Sequence, residues 1–172
     1  MKVSLFKSLV GFALSAILLS ISASLSAQTP AASTAQGKTE ILWLGQAGFR
    51  IKSPGGKIIV IDPWITGGPK TPAVYKNDLA ALGPVDLLLV THAHVDHIGD
   101  APDLAKMHKT QLYGPADMIT PLITLGVMPA ELTHRFNKSG RITPLPGIKV
   151  TAVKAEHSSL PVSYTHLRAH ET

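Results

Sequence analysis

Three histidines and an aspartate stand within six residues in Thr91-His92-Ala93-His94-Val95-Asp96-His97-Ile98-Gly99-Asp100, directly after the apolar run Val85-Asp86-Leu87-Leu88-Leu89-Val90. A run of that kind, with one acid near its start, predicts a strand covered on both faces. The polar cluster therefore begins where a buried strand ends, which is where open α/β sheets keep their sites. Residues two apart on an extended segment point to the same side, so His92 and His94 can converge on one ion. Asp96 and His97 follow once the chain has begun to turn, and can reach a second position nearby. Imidazole and carboxylate both bind Zn²⁺ and similar ions. The chain has no cysteine, which excludes a disulfide framework, a thiolate zinc site and a cysteine nucleophile.

At 172 residues, 45% hydrophobic and 16% charged, the sequence suits one globular domain. Aromatics make up only 5%, so the core must come from Ile, Leu, Val and Ala, and an α/β or α+β layering is expected. The formal charge of +5 suggests an anionic partner. Yet Lys2 and Lys7 lie near the N-terminus and the other basic residues are scattered, with no run that would track a phosphate backbone. No nucleic-acid partner is expected, and the aromatic and basic interleaving of single-strand binders is missing too.

Between residues 38 and 160, short apolar runs alternate with turn signals. Ile41-Leu42-Trp43-Leu44, Phe49-Arg50-Ile51 and Lys57-Ile58-Ile59-Val60-Ile61, separated by glycine-containing turns, predict a three-stranded antiparallel opening. A helical turn is expected over 77–82. After the loop, Asp100 is expected to cap a helix with Pro102 in its first turn and Leu104, Ala105 and Met107 or His108 following. Gln111-Leu112-Tyr113-Gly114 predicts a strand, 116–125 a short helix interrupted by Pro121, and 141–143 with 148–157 a hairpin. His108 and His134 have no partner pattern and are read as surface or packing residues.

The two ends read differently. Residues 1–27 have a positive start, an apolar stretch and small residues before the cut, the layout of a secretory signal peptide, which implies an exported, periplasmic or secreted protein with no membrane attachment after cleavage. Residues 28–37 read as a flexible lead-in. One back-translation of Val162-Ser163-Tyr164-Thr165-His166-Leu167-Arg168-Ala169-His170-Glu171-Thr172 resembles the transposase adapter of sequencing libraries, so 161–172 is expected to be a non-native tail replacing a longer chain. His166 and His170 are accordingly not counted as site residues.

Thr91 to Asp100 resembles the His-x-His-x-Asp-His-x-Gly motif of the metallo-β-lactamase superfamily. Leu44-Gly45-Gln46-Ala47-Gly48-Phe49 and Ile59-Val60-Ile61-Asp62-Pro63 resemble the first hairpin and the strand-Asp-Pro step of its small metal-dependent hydrolase subgroup, whose relatives include sugar-phosphate lactonases. The resemblance covers 39–159 and implies an α+β fold, the αββα sandwich, of which this chain supplies the first half to two-thirds. It also implies two divalent metal ions, zinc first, with manganese or iron as alternatives. His92, His94 and His157 would hold one ion, His157 resting on Ala155-Glu156-His157-Ser158-Ser159 at the end of an apolar strand. Asp96 and His97 would begin the other site, Asp96 also serving as the catalytic group that orients the nucleophile, and Asp62 would support the metal loop from behind. The family's bridging aspartate and last histidine lie beyond Ser159 and find no match here. The implied activity is a metal-bound hydroxide attacking an ester, lactone or related bond in a small-molecule substrate. The rival readings are an exported metal- or solute-binding protein without catalysis, and an inactive fragment of the hydrolase.

Overall fold

The computed structural model describes residues 37–157. The expected signal peptide, nearly all of the lead-in and the tail from 161 lie outside the described residues. Among those described, no helix is long and apolar enough to cross a membrane.

The chain opens as the predicted meander, with β1 (Glu40–Gly45), β2 (Gly48–Lys52) and β3 (Ile58–Ile61) paired antiparallel. A short helix α1 (Ala73–Lys76) and a 3-10 turn (Leu79–Leu82) then carry it to β4 (Leu87–Leu89), which lies parallel to β3. Two further parallel steps follow. The helices α2 (Val95–Ile98) and α3 (Ala101–His108) lead to β5 (Leu112–Gly114), and α4 (Ala116–Thr124) leads to β6 (Thr133–Arg135). The six strands form one sheet in chain order, and β7 (Arg141–Leu145) with β8 (Ile148–Thr151) forms a separate antiparallel pair. This is the mixed α+β arrangement expected from the sequence.

The pairing register sorts the sheet into two faces, because side chains alternate along a strand. Leu42, Leu44, Ile58, Val60, Leu88 and Leu112 share one face. They pack with Leu104 and Ala105 of α3 and Met118, Ile119 and Leu122 of α4 in one core cluster. Fully burying each such side chain stabilises the fold by about 1.5–3 kcal/mol. Ile41, Trp43, Phe49, Ile51, Ile59, Ile61, Leu87, Leu89 and Tyr113 share the other face. A sheet apolar on both faces calls for a layer on each. The β7–β8 segment shares a cleft of about 830 Å³ with this second face, lined by Ile61, Leu89 and Tyr113 on one side and Val150 and Val153 on the other. Ile41 and Trp43, at the β1 edge, remain 67% and 47% exposed.

Several expectations are corrected. Asp100 stands at the N-cap of α3 but makes no capping bond; its carboxylate accepts from the backbone N–H of Ile65 and Thr66 and from the Thr66 hydroxyl. The last strand ends at Thr151 and not near His157, because the β7 side of the pair begins at Arg141 and offers nothing beyond the bonds joining Ala152 to Ser139 and Gly140. Helix α4 runs through Pro121 without interruption. Helix α1 and strand β6 were not predicted; Thr133-His134-Arg135 has no apolar alternation, and its strand form comes from pairing with β5.

Candidate metal centre

Parallel pairing of β3 and β4 sets the ends of the two strands side by side, and the site is built on those ends. Asp62, the first residue after β3, donates its N–H to Leu89 O at 3.0 Å and turns with a φ of 45°. Its buried carboxylate accepts from Thr91 N–H and from the Thr91 hydroxyl, each at 2.7 Å, so the start of the histidine loop is pinned to the end of β3. The chain then curls into α2 as His97 and Ile98 donate their N–H groups to His94 O. Gly99 ends that turn against Trp64, where a Cβ would come within 2.7 Å of the indole Cδ1, so a larger residue would force the indole or the loop to shift.

His92, His94 and His157 converge. His94 Nδ1 lies 3.0 Å from His92 Nε2 and 3.1 Å from His157 Nε2, and the three donor atoms all fall within 4.8 Å of one another. Zinc–nitrogen bonds of about 2.0–2.1 Å in a tetrahedron set neighbouring donors about 3.3 Å apart. Two of the three separations sit within a few tenths of an ångström of that value, so the donor set fits a small divalent ion in chemistry and in spacing. Burial, reinforced by the rings of His97, His94 and His157, outweighs the pull of Asp62 and lowers the His92 pKa to about 4. A neutral imidazole is the form that offers a lone pair to an ion.

Asp62 also sets which nitrogens are free. His97 Nδ1 lies 2.9 Å from Asp62 Oδ2, and a carboxylate only accepts, so Nδ1 carries the hydrogen and Nε2 is the nitrogen left to face an ion. The Thr91 hydroxyl donates to Asp62 and so accepts from His92 Nδ1 at 3.0 Å, which leaves His92 Nε2 free. His97 Nε2 then stands 3.8 Å from Asp96 Oδ2, a second pair of donors set somewhat wider than a shared tetrahedral ion requires. The rings of His92 and His97 are 3.9 Å apart between centroids, which places the two donor groups side by side. His134 is exposed and stacks on Tyr113, and His108 is half-buried at the end of α3.

The family model of the beta-lactamase superfamily domain matches residues 57–172. The chain belongs to the beta-lactamase superfamily. Among relatives of this superfamily chain, a UPF0173 metal-dependent hydrolase of Polynucleobacter asymbioticus is 73% identical over 152 residues, 88% of this chain and 53% of that protein. One from Polaromonas sp. is 60% identical over 131 residues, 76% of this chain and 48% of that protein. Among solved structures, Igni18, described as a novel metallo hydrolase from Ignicoccus hospitalis, superposes with a TM-score of 0.60 at 27% identity. That alignment covers 70% of this chain and 50% of the archaeal one. The chain spans about half the length of the curated relatives it matches.

Two contributors to this beta-lactamase superfamily site escaped the sequence. Thr91 was read only as part of the motif, although its hydroxyl links Asp62 to His92. Gln46 was read only as part of the first hairpin and its turn, although its amide reaches Asp96 at 3.4 Å across 50 residues. A polar side chain between two turn glycines gives no sign of such a reach.

Proposed function

We propose that the protein is a metal-dependent hydrolase that acts outside the cytoplasm on an ester, lactone or related bond of a small molecule. The observation that carries this reading is the convergence of His92 Nε2, His94 Nδ1 and His157 Nε2, with His94 Nδ1 at near-tetrahedral spacing from each of the other two. The names of the Polynucleobacter and Polaromonas relatives support its coarser part, a metal-dependent hydrolase. A divalent ion, if held there by these histidines, would supply an activated water and polarisation of the scissile bond. In this reading His92, His94 and His157 hold the first ion, and Asp96 and His97 supply two donors to a second. Zinc suits the all-imidazole position, with manganese or iron as alternatives. In this reading Asp96 also takes the proton of the attacking nucleophile. Asp62 and Thr91 keep the imidazoles in the tautomer that binds. The signal-peptide layout of residues 1–27 supports export, and the lactone preference rests on the resemblance of the opening segments to the hydrolase subgroup.

The test is metal analysis of the full-length protein together with a panel of ester, lactone, phosphodiester and β-lactam substrates. Two equivalents of metal and turnover of an ester or lactone are expected, with both metal uptake and turnover lost in His94→Ala. Metal-loaded protein that turns over nothing on the panel, while His94→Ala loses only metal, would favour a binding protein instead.

A further inference from the structure

We propose that Gln46 is a positioning residue that sets Asp96 for the second ion. The proposal rests on the reading of Asp96 and His97 as that ion's ligands. Gln46 lies in the tight turn between β1 and β2, ahead of the stretch matched by the family model. Its φ is 49°, a left-handed conformation that a glutamine adopts only at a cost that glycine would not incur. The Trp43 indole N–H donates to Gln46 O at 3.0 Å and braces the turn in that shape. So held, the side chain points Nε2 at Asp96 Oδ2, 3.4 Å away. Only the amide nitrogen can face the carboxylate, since both groups' oxygens are acceptors. The same oxygen, Asp96 Oδ2, thus has the amide donor at 3.4 Å and His97 Nε2 at 3.8 Å. Asp96 is on the first turn of a four-residue helix without a capping bond, so little else fixes its rotamer. The amide narrows the positions the carboxylate can take to those that face His97.

The full-length, metal-stripped protein is titrated with Co²⁺ and followed by absorbance, with the step lost in Asp96→Asn marking the second ion. Gln46→Gly and Gln46→Ala are expected to weaken that step at least about tenfold and to leave the other within about twofold. Gln46→Gly should unfold at the same or a higher temperature, because glycine relieves the backbone. A structural role would instead move stability and both binding steps together, and that outcome overturns the proposal. So does second-ion affinity unchanged in both variants while the wild type binds two ions. A wild type that binds only one ion overturns the two-ion reading itself and this proposal with it.

Discussion

Asp62 accepts from Thr91 N–H, the Thr91 hydroxyl and His97 Nδ1 at once, and no neutral side chain can do the same. In Asp62→Asn the amide nitrogen would face a donor, and the tautomers of His97 and His92 would no longer be fixed. Metal affinity should fall about 10–100-fold, as it does when such supporting groups are removed elsewhere. Competition against a chelator measures it, and a fall of less than about threefold would remove Asp62 from the site. Asp100 is the second carboxylate whose neighbours define it. Because it ties down Ile65, Thr66 and the Thr66 hydroxyl in a buried setting, Asp100→Ala should cost about 2–4 kcal/mol in urea unfolding. An ordinary helix cap is worth only about 1 kcal/mol, so the size of the loss separates the two roles.

Strand β4 carries the loop, and the same short segment is the centre of the sheet. Leu88 is fully buried between β3 and β5, and Leu88→Ala should destabilise the fold by about 2–5 kcal/mol. At the entrance to β4, Asp86 holds Lys57 at 2.7 Å and Ile58 N–H at 2.8 Å. Burial pulls its pKa upward, but the Lys57 ammonium and the Ile58 N–H outweigh that, and the pKa lies below its ordinary value. Protons therefore bind the unfolded chain first. The stability that Asp86 contributes is complete above the ordinary carboxylate pKa and drains away as pH falls through the lowered native one. Asp86→Asn should cost about 1–2 kcal/mol at pH 7. Urea midpoints of wild type and variant should draw together in acid, once the pH has fallen through that lowered pKa. A gap of the same size at neutral pH and in acid would mean that the Asp86 charge contributes nothing.

At the scale of the molecule, the three converging histidines come from two distant stretches. His92 and His94 lie on the β4 loop, while His157 follows β8, and His94 and His157 are 63 residues apart in sequence. An ion bound by all three would fasten the β7–β8 segment to the six-stranded sheet, and binding to the folded state alone adds stability in proportion to the logarithm of metal over Kd. Chelation should therefore lower Tm, and hydrogen exchange should rise in 141–157 before it rises in β3 to β5. Uniform loss of protection across both sheets would count against this staple. His157→Ala should reproduce the chelated pattern even with metal present.

The central strand, the opening meander and the helix after Pro102 were legible because each depends on local alternation, turn residues or helical spacing in the chain itself. So was the histidine loop, since the donors are adjacent in sequence and follow a buried strand. Strand β6 was not legible, because Thr133-His134-Arg135 becomes a strand only by pairing with β5. The sequence also proposed Asp100 as a cap, a local role, whereas the carboxylate is taken by Ile65 and Thr66 from a loop 34 and 35 residues away. What the sequence determined by itself was the strand-end cluster of histidine and aspartate and the periodicities that place it. What only the tertiary structure decided was which nitrogens face one another, how Asp62 and Thr91 orient them, and that Gln46 reaches Asp96. Those are contacts between residues far apart in the chain, and no local pattern encodes the distance that closes them.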